Sequence, residues 1–391
     1  MINTRTKGEK ESVSQRAAGA EGKRIGWIDA AKGIAIFFVV AGHCADKNGP
    51  DNILLHFSMF AGVSVFFLLS GMTFCWKKGE YLCFDQRPLS DFALHLGRTL
   101  VFPYFFWSAV SIGIYGVLGR SVAESLGSDR KHFDVLPNVG GMLYGNSGSG
   151  YMEWNRPLWF LVCLVWVEIL WYFVLNLLCR LKKQGHSAGS VLVYGAAMIL
   201  PFVWMILQNR SGIHLRLFWE LETAVCVLPC FGAGRLLRIR MTEAADRPEH
   251  REKTFRILRI AGGLACLVFV WILLIGTKEA DFRADRFSEP QLLLPEMVLG
   301  AAGICLTAQA LSEVRFLRYI GRKTMAILVM HKFPVMGMKL LLRNRQGSIL
   351  LDLGMAVAAV LLCLLAEKIL GQFCPAVFGT APVRRIQKEK G

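Results

Sequence analysis

Two residues in the first apolar stretch of the chain have the types and the spacing for chemistry. Lys32 and His43 stand eleven positions apart between Trp27 and Cys44. On an α-helix, eleven residues turn through about 1100°, three full turns plus ~20°, and rise ~16 Å. Both side chains therefore share one stripe. A neutral imidazole can take a proton from a hydroxyl or accept a transferred group, and an ammonium can hold an anion. The pair suits a ligand lying along the helix, anionic near Lys32 and reactive near His43. Each residue alone has a plainer reading. Lys32 could snorkel to lipid headgroups, His43 could make an interhelical hydrogen bond, and Asp29 could pair with Lys32 or Arg24.

Other polar groups fall where apolar ones dominate. His56 opens the second apolar stretch at about the depth of His43, so the two rings could share a proton or hold an acceptor hydroxyl. Ser70-Gly71 closes that stretch and reads as a close helix-packing point ahead of a nucleophile. Glu168, Glu220, Glu222, Glu296, His331, Lys332 and Glu367 are embedded further along. An ionisable group within a span is costly, so it marks a site or a buried pair. The glutamates read first as structural partners. His331, just before Pro334, reads equally as a site residue or as part of a cation pair.

These residues need a scaffold, and composition supplies its class. Of 391 residues 54% are apolar and 19% charged, with mean hydropathy +0.42. Soluble domains carry about 45–50% apolar residues and about 25% charged ones. The apolar residues gather in blocks long enough to cross a bilayer core of about 30 Å. Ten spans are expected, at 28–46, 53–75, 99–119, 157–179, 190–207, 215–236, 257–276, 291–311, 324–342 and 348–371. The fold class is all-α, a polytopic membrane helix bundle. Residues 1–24 are polar and read as a disordered cytoplasmic segment, 25–371 as the membrane domain, and 372–391 as a cytoplasmic tail. Of the 45 Lys and Arg, 28 fall in alternate connections and termini and 12 in the others. The positive-inside bias puts both termini in the cytoplasm, in a multi-pass protein of a bacterial inner or plasma membrane.

The net charge of +16 lies in short loops between apolar blocks, facing anionic lipid, so no nucleic-acid partner is expected. The 11 Cys include no CxxC pair, and no metal is expected. Oligomeric state is not legible.

The same residues resemble the acyltransferase 3 family of integral membrane acyltransferases. Lys32…His43 fits the family's basic residue, ten positions, then His. Phe66-Phe67-Leu68-Leu69-Ser70-Gly71 matches its Phe-Phe-x-x-Ser-Gly. Arg98…Pro103-Tyr104, Leu158-Trp159-Phe160-Leu161 and Tyr319-Ile320-Gly321-Arg322…His331 follow in the family's order. The first two spans are most similar to the fucose 4-O-acetylase-like branch. One position departs: Leu100 stands where a second Arg is common, three before the Pro, and Lys77, Lys78 or Arg87 could replace it.

The resemblance implies transfer of an acyl group, most often acetyl, from cytosolic acyl-CoA to a carbohydrate hydroxyl at the outer side. It implies that Lys32, Arg98, Lys77 and Lys78, with Ser70 beside them, hold the donor. His43 would serve as general base or covalent relay, and His56 and His331 would orient it or protonate the leaving thiolate. The sequence does not choose between base and relay. An exporter or flippase for glycans or lipids would share the spans and the embedded charges, although no internal repeat supports it.

Overall fold

The computed structural model describes residues 25–45, 52–74, 88–126, 134–145, 147, 151–244, 252–283, 286–342 and 348–380. It is 84% helical with almost no strand, an all-α polytopic bundle. Among the described residues, eight helices are long and apolar enough to cross a membrane, nine with one bent pair counted.

Helix α1 spans Gly26–Cys44. The second span is α2 (Asn52–Ser58), a π turn (Met59–Val63) and α3 (Ser64–Thr73). The third is α4 (Leu89–Leu96), a second π turn (Gly97–Val101) and α5 (Phe102–Leu126). After α6 (Val135–Tyr144) come α7 (Trp159–Lys183), α8 (Ser187–Ser211), α9 (Leu221–Ala244) and α10 (Glu252–Leu273). A two-stranded antiparallel hairpin, β1 (Ala280–Asp281) and β2 (Arg286–Phe287), leads to α11 (Leu293–Ala310). Then follow α12 (Arg315–Arg322), α13 (Thr324–Met330), α14 (Lys332–Leu341) and α15 (Ile349–Phe373).

The ten expected spans are all occupied by helix, with three differences. The ninth is bent by 47° between α13 and α14, where His331 sits one residue before Lys332. The sixth, α9, is helical but too charged to count as an apolar span, because it carries Glu222, Arg235, Arg238 and Arg240. The connection 120–156 holds the helix α6 and a 3-10 turn, Glu153–Leu158. The expected N-terminal segment, 1–24, and residues 381–391 of the expected tail, 372–391, lie outside the described residues.

Burial sorts the spans into centre and rim. In α1 and in the second span 72% of the tested stretch is buried inside the protein, against 11% in α8 and α10. The centre is possible because small residues let backbones touch. Gly33 on α1 faces the Leu317 carbonyl, and Gly321 on α12 faces the Asp29 carbonyl, each too close for a Cβ. Gly71 on α3 meets the Phe231 backbone on α9, and Gly234 on α9 meets Leu68 on α3. The packing role expected for Ser70-Gly71 thus falls to its glycine. The glutamates Glu220, Glu222 and Glu367 have structural partners: Arg216 lies 3.5 Å from Glu220 and 3.7 Å from Glu222, and Lys323 lies 2.6 Å from Glu367.

Candidate active site

A cavity of about 790 Å³ lies between the central helices. On α1 its wall is Lys32, Ile36, Val39 and His43, spaced i, i+4, i+7 and i+11. That is one face of one helix, so the stripe read from the spacing exists and looks into a hollow. The second span runs alongside with His56, Met59, Val63, Phe66 and Ser70. The chain direction of the two spans is opposite, so Ser70 lies toward the Lys32 end and His56 toward the His43 end. Trp159, Phe160 and Leu161 of the fourth span and Thr324, Leu328 and Lys332 of the bent span complete the walls. Both π turns border the cavity, the first through Met59 and Val63 and the second through Leu100. Such turns occur often at functional sites because they re-aim side chains out of helical register.

The structure brings His43 and His331 together. Their ring centroids lie 5.1 Å apart with the planes tilted by 34°. His331 is fully buried, and its Nδ1 lies 2.9 Å from the Ile327 carbonyl. A carbonyl only accepts, so Nδ1 carries the hydrogen and donates it. In the neutral ring the lone pair is then on Nε2, which has no hydrogen-bond partner among the described residues. His56 is also buried and lines the cavity, with Asp281 and Glu279 acting on it electrostatically from the hairpin. The ring facing His43 is thus that of His331, from a span almost three hundred residues away in sequence.

At the other end, Lys32 and Ser70 face the cavity. Arg98 is exposed in the second π turn and is not part of the wall; Leu100, two residues on, is. Lys77, Lys78 and Arg87 lie outside the described residues. Among the described residues, no three His, Cys, Asp or Glu side chains gather as metal ligands.

Three contributors were not singled out from sequence. Arg156 lines the cavity at the start of the fourth span. Its neighbour Asn155 is 1% exposed and donates through Nδ2 to Ser111 Oγ at 2.8 Å and to the Val329 carbonyl at 3.2 Å. Asn155 thereby ties the turn before Trp159 to the helix end that carries His331. The hairpin, with Lys278, Glu279, Asp281, Arg283 and Arg286, closes the His56 end. Lys332, read from sequence with His331 as either a site element or a cation pair, also lines the wall. A polar residue in a short connection gives no periodic signal, so Asn155 and the hairpin could be found only by their contacts.

The motif residues converge. Lys32, His43, Phe66, Ser70, Trp159, Phe160 and Leu161 come from three spans and line a single cavity. No curated protein and no solved structure matches the chain. A family model described as an acyltransferase domain matches residues 25–368, nearly the whole chain, and it identifies the family without selecting a branch of it. The chain belongs to the acyltransferase 3 family, and the bundle around this cavity is that of a membrane acyltransferase.

Proposed function

We propose that the protein moves an acyl group, acetyl in the simplest case, from cytosolic acyl-CoA to a carbohydrate hydroxyl presented at the opposite membrane side. The observation that carries this reading is the cavity wall that runs from Lys32 to His43, with His331 behind His43. The donor enters at the Lys32 end. Lys32 holds a phosphate of the nucleotide through a charge-assisted contact, Arg98 adds charge on the adjoining exposed surface, and Ser70 offers a hydroxyl to the pantetheine arm. The family resemblance assigns Lys77 and Lys78 to the same donor. The thioester then lies near His43, ~16 Å along the helix.

His43 accepts the proton of the acceptor hydroxyl as its oxygen attacks the thioester carbonyl. The new C–O bond forms, the C–S bond breaks, and the CoA thiolate leaves and takes the proton back from the imidazolium. His331, its tautomer fixed by Ile327, positions His43 and stabilises its cationic form through a lone pair on Nε2. His56 lies on the acceptor side. Direct attack uses two substrates in the cavity at once, whereas an acyl-His43 relay would use them in turn. Acyl groups transfer across the membrane in either case.

The test is steady-state release of free CoA thiol by purified protein with acetyl-CoA and a carbohydrate acceptor. The wild type should release thiol only with both present, and His43→Ala should lose activity by about 10²–10⁴-fold while keeping its elution profile and melting temperature. Near-normal turnover by His43→Ala removes the residue from the chemistry. An exporter or flippase would move glycan without any thiol release.

A further inference from the structure

The two ends of the cavity differ in what they can recognise. At one end Lys32 is the cation on the wall. At the other, the lining carries Arg156, Lys278, Arg283, Arg286 and Lys332 against Glu279 and Asp281, which are the acidic groups on the wall among the described residues. Three of the five cations and both acids come from the hairpin between α10 and α11. The walls below it are apolar, with Met59, Phe160, Leu161 and Leu164. A cleft of one net sign with low-dielectric walls concentrates its field on whatever enters.

The hairpin is fixed in place. Phe282 at its tip is fully buried, edge-on to Phe60 at 5.7 Å and to Phe287 at 5.1 Å. Phe287 N donates to Asn209 Oδ1 at 2.8 Å, Arg283 Nη1 to the Ser147 carbonyl at 3.0 Å, and Arg216 Nη1 to the Arg283 carbonyl at 2.5 Å. Arg283 also pairs with Asp281 at 3.1 Å, so this acid is taken up internally. Arg286 is different: 54% exposed, it lies 3.9 Å from Glu279, a separation at which an exposed pair contributes little. Lys278 is exposed beside it. A rigid frame thus presents two solvent-facing cations at the mouth, with Arg156 and Lys332 further in.

We propose that this end of the cavity is a binding site for an anionic carbohydrate, one bearing a carboxylate or a phosphate, and that the acceptor belongs to that class. The inference rests on the acyl-transfer reading, which sends the donor's phosphates to the Lys32 end and leaves the exposed Lys278 and Arg286 to the second substrate. A carboxylate or phosphate oxygen replaces the distant Glu279 as the partner of Arg286, with Lys278 beside it, and the attached sugar ring extends inward toward His43.

The test is binding to the full-length protein in detergent, with trigalacturonate, maltotriose and galactose 6-phosphate as probes. Trigalacturonate or galactose 6-phosphate should bind saturably in the millimolar range or tighter and maltotriose should not; the stronger of the two anionic probes tells carboxylate from phosphate. Lys278→Gln with Arg286→Gln, both exposed and outside the packed core, should weaken the anionic probe by about tenfold or more with the melting temperature unchanged. The proposal is overturned if maltotriose binds as well as the anionic probes, if neither anionic probe binds, or if the double variant keeps wild-type affinity. Thiol release from acetyl-CoA, measured on the same samples, separates the two readings. Anionic binding with no thiol release from any acceptor retires acyl transfer and leaves the site. Thiol release with maltotriose and no anionic binding retires the site and leaves acyl transfer.

Discussion

The imidazoles of His43 and His331 face each other across 5.1 Å from the first span and the ninth, and the ring that faces the cavity is backed by one that is wholly enclosed. A buried ring with a fixed hydrogen on one nitrogen and a lone pair on the other suits a positioning residue. His331→Gln should therefore lower kcat by about 10–100-fold with KM for acyl-CoA unchanged. Steady-state thiol release with both substrates varied checks this split, and a loss confined to KM would contradict the positioning role.

Lys32 stands at the far end of the same stripe. Lys32→Ala should raise KM for acyl-CoA by about 10–100-fold, the range of a lost charge-assisted hydrogen bond, with kcat changed little. Lys32→Arg should recover most of the affinity. Arg98→Ala should have a smaller effect on KM, because Arg98 is exposed and its charge is screened. The ordering is read from donor saturation curves of the three variants.

Asn155 links three segments through one amide. Asn155→Ala leaves Ser111 and the Val329 carbonyl without this donor in a buried setting, which costs about 1–3 kcal/mol. A lower melting temperature in detergent is expected. Since Val329 lies two residues before His331, kcat should fall as well, and wild-type melting and kcat together would show the bond to be dispensable.

Glycine positions give a paired test of the packing. An Ala at position 71 would drive its Cβ into the Phe231 backbone, whereas a Cβ at position 97 meets open space. Gly71→Ala should destabilise the protein by about 1–3 kcal/mol through separation of α3 and α9. Gly97→Ala, in a helical segment, should be neutral or stabilising by about 0.5–1 kcal/mol. Thermal unfolding of both variants side by side measures the contrast.

What was readable from sequence follows from which signals are periodic. Apolar blocks of bilayer length located the helices that pass as membrane spans, and the 3.6-residue repeat placed Lys32 and His43 on one face, which the cavity wall reproduces. The pairing of His43 was not readable in this way. Depth pointed to His56, which lines the same cavity, and the bend between α13 and α14 brings the His331 ring within 5.1 Å of His43. A bend angle depends on how Pro334 and the neighbouring helices pack, which no local pattern encodes. The hairpin and Asn155 sit in connections, where residue type says little and contacts across the fold decide everything. Leu100 stands where the family often has a second arginine, and it lines the wall.

The Ile327 carbonyl receives two hydrogens from His331, the backbone N–H at 2.9 Å and the ring Nδ1–H at 2.9 Å. The protonation pattern of that imidazole is thereby written into the main chain of its own helix, a group that every amino acid supplies. Surrounding side chains can be exchanged, over evolution or by design, without changing which nitrogen is left to work. The tautomer at this position is insulated from drift in the walls around it.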